Sequence, residues 1–192
     1  PSETPLADWM VVASGPAGEF VTNTKIDGSY SIPLPEGDYT VALIRPNGLW
    51  SVCTPPQFVQ VGVADTITVP LSGQVNKLCP RMEVDLSTSL LRRCFPNYYS
   101  LQYCNKGTIP VENAYVEVDL DPFLMLQSSS VPWSTQSGNT YTFPVGNVAA
   151  GQCGAIYLLV LVGCDAELGR THCSTAHVFP DTACGPVNSL WD

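Results

Sequence analysis

The residues best equipped for chemistry are eight cysteines: Cys53, Cys79, Cys94, Cys104, Cys153, Cys164, Cys173 and Cys184. Their number is even and no CxxC pair occurs, so neither a zinc site nor a redox dithiol is indicated. They predict four disulfides formed outside the cytosol. Three carboxylates, Glu117, Asp119 and Asp121, alternate with Val116, Val118 and Leu120 along one predicted strand, which puts the acids on one face and the apolar residues on the other. Oxygens at that spacing are a weak calcium candidate, but no DxDxDG loop accompanies them. A solvated acidic face is the expected role. His172 and His177 are the only histidines; they have no zinc-ligand spacing, and no Ser–His–Asp order or paired acid in a pocket motif accompanies them. Lys25 raises an intramolecular Lys–Asn crosslink, which requires burial to lower the amine's pKa. Its place beside a turn predicts a solvated lysine instead. No catalytic residue, metal or cofactor is expected.

Aromatic residues are the other candidates for contact. Trp9 stands in an alternating strand and is expected in a core. Trp9, Trp50, Trp133, Trp191, Tyr98 and Tyr99 could include a glycan-stacking platform or an assembly contact. Trp133, in the polar loop "SSSVPWSTQSGN", and Trp191, in the closing "SLWD", are candidate interface residues, because tryptophan is enriched both as a lid and at interfaces.

These residues must be positioned by strands. Charged residues make up only 13% of the 192, while 17 Pro and 15 Gly punctuate the chain. A hydrophobic content of 45% is enough to bury real cores. The stretches "DWMVVAS", "GEFVTNT", "SYSIPL", "DYTVALI", "LWSVC", "QFVQVGV" and "TITVPLS" read as strands, with Asp27-Gly28 as a two-residue hairpin signal and "PEGD" as the next turn. Tyr30, Ile32 and Leu34 alternate in one, and Tyr39, Val41 and Leu43 in the next, so each can bury one face. A polar stretch, "SGQVNKLCPR", marks a boundary. Beyond it come "MEVDLSTSLLRR", "NYYSLQYCN", "VENAYVEVDLDP", "FLMLQSS", "NTYTFPVGNV", "CGAIYLLVLVGC" and "HCSTAHVFP", about seven more strands at sandwich spacing. No window holds a sustained helical period. The expected fold is all-β, two tandem β-sandwich domains at 1–78 and 79–192, stabilised by disulfides.

The net charge of −9 falls on both parts, with three basic against seven acidic residues in the first and five against ten in the second. Nucleic acid and anionic membrane surfaces are therefore not expected partners. The longest apolar run, "AIYLLVLVG", is far shorter than the ~20 residues of a membrane helix, and a soluble chain is expected. The chain starts at Pro1 with no signal peptide and reads as a processed or excised piece.

Residues 5–71, through "PLADWMVVAS", "TNTKIDGSYSIPLPEGDYTVAL" and "TITVPLSG", resemble a carboxypeptidase-regulatory-like or collagen-adhesin B-type repeat, a family of prealbumin-like sandwiches. Residues 82–178, through "YYSLQYCNKGTIPVENAYVEVDLDP" and "YTFPVGNVAAGQCG", resemble the Ig-like conserved repeat of bacterial surface proteins. The pair is similar to large secreted repeat proteins of the Bacteroidetes type. The resemblance implies a secreted, cell-surface, non-catalytic module: a stalk, or a filament subunit whose partners are other copies or neighbouring modules. The other reading is an adhesin or carbohydrate-binding module with a glycan partner. The first family opens with a "V-x-G-x-V" strand and an Asp/Asn-rich loop, which this chain lacks before "PLADW". The resulting unpaired edge could be completed by another chain. In an Ig-like sandwich the second and sixth strands face each other from opposite sheets. That arrangement implies Cys94–Cys153 and Cys104–Cys164, with Cys173–Cys184 closing the tail or Cys164–Cys173 as an alternative. Cys53 and Cys79 remain for the first domain.

Overall fold

The computed structural model describes residues 4–167, 169 and 171–181. These residues form strands, turns and irregular segments with no helix, and two compact units divide them, one up to Leu78 and one from Cys79 onward. No helix among the described residues is long and apolar enough to cross a membrane.

In the first unit, β1 (Met10–Gly15), β2 (Gly18–Asn23), β3 (Gly37–Ile44) and β5 (Gln57–Val61) make an antiparallel sheet in the order β2-β1-β3-β5. β4 (Trp50–Val52) and β6 (Gly73–Val75) pair separately. The alternation in "DYTVALI" works as period-2 spacing requires: Tyr39, Val41 and Leu43 are buried while Asp38 and Thr40 are exposed. Val11, Ala13, Val41, Leu43 and Trp9 form the core, with Trp50 edge-on to Trp9 at 5.3 Å between ring centroids.

The Asp27-Gly28 turn closes as a tight turn. Gly28 adopts φ +78°, its N–H donates to the Lys25 carbonyl at 2.8 Å, and the Lys25 N–H donates to Ser29. The Ser29 hydroxyl and amide both donate to the Asp27 carboxylate, holding its pKa below the usual value. No hairpin ladder follows, however. "SYSIPL" and "TITVPLS", expected as strands, join no sheet. Pro33 and Pro70 remove amide donors from them. Among the described residues the second bonds main chain to main chain only at its last residue, Ser72, whose carbonyl accepts from the Cys53 amide at 2.8 Å.

In the second unit, β7 (Met82–Thr88), β8 (Pro96–Asn105), β10 (Leu124–Ser129) and β13 (Cys153–Val162) form a sheet in the order β10-β13-β8-β7. β9 (Val111–Asp119), β11 (Thr135–Ser137), β12 (Thr140–Val148) and β14 (Thr175–Phe179) form another, ordered β11-β12-β9-β14. Leu101, Ile156, Leu158 and Val160 from the first meet Val116, Val118 and Phe143 from the second in one buried core, a sandwich-like arrangement. In β9 the buried positions shift from Val111 to Ala114, Val116 and Val118, a change of parity. A bulge absorbs it: Asn113 takes φ 53° next to Ala114, whose partner Gly146 takes φ 76°, and the β9–β12 register shifts there.

The disulfides correct the expected pairing. Those with both cysteines among the described residues are Cys94–Cys164 and Cys104–Cys153. The premise of facing strands fails because β13 returns to the sheet of β8 and lies beside it, antiparallel. Cys104 and Cys153 are direct register partners, with Cα atoms 4.0 Å apart. Cys94, at φ 66°, lies 4.5 Å from Cys164 at the other end of the same strand pair. Cys164–Cys173 is thereby ruled out. Cys53 is a free, exposed thiol while Cys79 is disulfide-bonded, so Cys53–Cys79 does not form. Cys173 is also free and exposed, and Cys184 lies outside the described residues. Four bridges drawn from all eight cysteines are therefore not what the fold contains.

Candidate functional site

The two segments without a ladder form the candidate site. Tyr30, Ile32 and Leu34 from one, and Val69 and Leu71 from the other, point inward and are half-buried against the first unit's core. Ser29, Ser31 and Pro33 alternate outward, as do Thr68 and Pro70. Both segments therefore present side chains as strands of a second layer would, yet carry no ladder. Among the described residues, the main chain of Tyr30–Pro35 makes no hydrogen bond at all. Between Thr66 and Leu71 the sole main-chain bond is one that the Val69 carbonyl accepts from a side chain. That side chain is Tyr30, whose hydroxyl donates at 2.7 Å. Burial pushes the Tyr30 pKa up, which keeps the donor proton in place.

Exposed, unpaired N–H and C=O groups on extended backbone are a template for a further strand. Each segment can offer a ladder edge, and the alternating apolar residues beneath give a partner's inward side chains a floor. Glu36 and Asp65 stand at one end of this region. Glu36 adjoins Gly37, the ladder partner of Val61, and Asp65 accepts from the Gly62 amide at 3.0 Å.

The other sequence candidates are dispersed. Lys25 is exposed at its turn, so it lacks the burial a crosslinking lysine needs. Asp119 accepts from Thr140 Oγ1 at 2.9 Å, whereas Asp121 is drawn into a local turn. The Asp121 carboxylate takes the Phe123 amide at 2.9 Å and meets His172 Nδ1 at 3.1 Å. Glu117, Asp119 and Asp121 therefore do not converge. Among the described residues no three His, Cys, Asp or Glu side chains gather where a metal could sit. His172 packs edge-on to Phe123, while His177 Nε2 contacts Asp181 at 2.6 Å, so the histidines serve separate local pairs. Trp133, 37% exposed, stands edge-on to Tyr141 at 5.7 Å and partly covers its own unit's core. Trp191 lies outside the described residues. Trp9 is buried, and Tyr98 and Tyr99 occupy opposite faces of β8, one exposed and one buried.

The lack of ladders on "SYSIPL" and "TITVPLS" was not readable from the chain, because each carries the alternation of an ordinary strand. Their prolines were the available signal.

No family model and no curated protein matches the chain. Among solved structures it is similar to the chitinase ChiA74 from Bacillus thuringiensis, at TM-score 0.33 and 14% identity over 90% of this chain. The match spans 24% of that protein, so the chain corresponds to about a quarter of its length. A likeness this low says nothing of activity.

Proposed function

We propose that the chain is a non-catalytic structural module of an extracellular bacterial surface protein, built as two tandem Ig-like and prealbumin-like β-sandwiches. It serves as a stalk or filament subunit whose copies join head to tail by strand complementation. A single observation carries this reading: among the described residues the main-chain groups of Tyr30–Pro35 and Thr66–Leu71 have no ladder, although Tyr30, Ile32, Leu34, Val69 and Leu71 already pack inward as strand residues do. An extended strand from a second copy satisfies those groups, and its inward residues rest on Tyr30, Ile32, Leu34, Val69 and Leu71. Such a contact joins two different surfaces and does not close on itself, so it propagates. The disulfides support an oxidising, extracellular setting.

Sedimentation of the purified chain over a concentration series, with hydrogen exchange on the same samples, tests the reading. Concentration-dependent oligomers are expected, with the amides of residues 31, 32, 34 and 66–69 exchanging quickly in the monomer and slowly in the assembly. Thr68→Pro removes one free donor from an extended position that already precedes Val69-Pro70. It is expected to leave the monomer folded and abolish assembly. A chain that stays monomeric at the highest attainable concentration, or whose free monomer already protects these amides, defeats the proposal.

A further inference from the structure

A second feature belongs to the second unit. The outer face of the β7–β8–β13 sheet carries a shallow, open groove of 460 Å³, lined by Ser87, Thr88, Ser89, Tyr98, Ser100 and Tyr157 together with Tyr99, whose ring is buried on the opposite face. Tyr98 is 72% exposed and Tyr157 58% exposed, and neither ring stacks on another aromatic among the described residues.

Strand register places the two rings. Ser100 pairs with Tyr157 and Tyr98 pairs with Leu159, so the tyrosines are diagonal neighbours on one face. Ser87 pairs with Ser100 on the other side, which sets a row Ser87, Ser100, Tyr157 across three strands. The platform is rigid. The Tyr157 amide donates to Ser130 Oγ at 2.9 Å, and the Tyr157 carbonyl accepts from the Ser130 amide at 2.9 Å. Thr88 Oγ1 donates to the Tyr98 carbonyl at 2.9 Å. These bonds fix the backbone that carries the two rings.

The lining chemistry restricts the ligand. Ser87 and Thr88 donate to main-chain carbonyls and keep lone pairs free to accept. The hydroxyls of Ser89, Ser100, Tyr98 and Tyr157 have no protein partner among the described residues. The groove is thus a surface of unengaged hydroxyls beside two aromatic faces, with no charged residue in its lining. An aromatic face is electronegative and attracts the weakly positive C–H faces of a sugar ring, while hydroxyls both donate to and accept from sugar hydroxyls. A phosphate, sulfate or uronate finds no cation here, and the chain's charge of −9 repels it.

We infer that the groove lined by Tyr98, Tyr157, Ser87 and Ser100 is a binding site for a neutral oligosaccharide. The two tyrosine rings stack on sugar faces, and the serine and threonine hydroxyls orient them. The sequence concealed half of this platform, because Tyr157 stands within the apolar run "AIYLLVLVG" and reads as core.

Isothermal titration of the full chain with cellohexaose, xylohexaose, mannohexaose and the hexamer of N-acetylglucosamine tests the assignment, with an alginate hexamer as the anionic arm. At least one neutral probe is expected to bind. Tyr98→Ala and Tyr157→Ala are each expected to weaken it about tenfold, the effect of losing one stacking contact. Tyr98→Phe keeps the ring and most of the affinity, and Trp133→Ala leaves binding unchanged. Both tyrosines are exposed, so the variants should melt like the parent. No binding by any neutral probe overturns the assignment. So does affinity for the alginate hexamer alone, or affinity indifferent to both alanine variants.

Discussion

Asn105 shows how a single side chain can hold an irregular join together. It is completely buried, and all of its hydrogen-bonding capacity is used. Nδ2 donates to the Ile109 carbonyl at 2.8 Å and to Val148 at 3.1 Å, while Oδ1 accepts from the Gly107 amide at 3.0 Å and from Arg81 at 3.3 Å. Around it the Lys106 amide donates to Arg81, and the Thr108 amide donates to Cys79. Gly107 is required for space, because a Cβ there would stand 2.4 Å from both the Arg81 nitrogen and the Cys79 oxygen. The stretch "CNKGT" thus clamps the start of β7 to the end of β8. Replacing Asn105 with Ala strands several buried main-chain groups at once, each costing about 1–3 kcal/mol when left unpaired. Asn105→Ala is expected to lower the second unit's stability by about 3 kcal/mol or more. Urea unfolding monitored by far-UV circular dichroism measures it, and a loss below about 1 kcal/mol would mean that water replaces the clamp.

At the scale of strands, the sequence made the inward and outward sides legible but left the partners hidden. "DYTVALI" buries the residues its alternation marks, and "VENAYVEVDLDP" does so from Ala114 onward, since period 2 is a property of one strand alone. Which strand lies beside which is a property of two distant segments, and alternation is silent about it. "SYSIPL" has the same pattern and no ladder. Cys153 lies beside Cys104 because β13 returns next to β8, a fact of topology that spacing along the chain does not contain. The candidate edge stayed hidden for the same reason, since a missing neighbour leaves no trace in the alternation of the strands that lack it. The pairing itself is open to test. Alkylation of the native chain without reductant, followed by peptide mapping, is expected to label Cys53 and Cys173 and to spare Cys94, Cys104, Cys153 and Cys164. Non-reduced digests should contain linked peptides joining Cys94 to Cys164 and Cys104 to Cys153. Links joining Cys94 to Cys153 would instead require β8 and β13 to occupy opposite sheets.

Across the whole molecule, charge decides how two copies can meet. The chain carries −9, with acidic residues in excess in both units, so any two copies approach against a net repulsion. A head-to-tail contact made mainly by ion pairs would weaken as salt rises, because salt screens attraction. A contact made by a strand ladder over Ile32, Leu34, Val69 and Leu71 behaves oppositely, since its attraction is short-ranged and apolar while the long-range term is repulsive. The Debye length falls from about 30 Å at 0.01 M salt to about 8 Å at 0.15 M, enough to remove most of that repulsion between separated surfaces. Assembly is therefore expected to strengthen over that range and to strengthen again as pH is lowered toward the pI of 4.4. Sedimentation velocity at a fixed protein concentration in 10 mM and 150 mM sodium chloride reads the difference. An average mass that rises with salt, and stays low at both salts in Thr68→Pro, fits a ladder built on the unpaired segments. A mass that falls as salt is added places the contact on charged side chains, and residues 30–35 and 66–71 of the first unit then play no part in joining the copies.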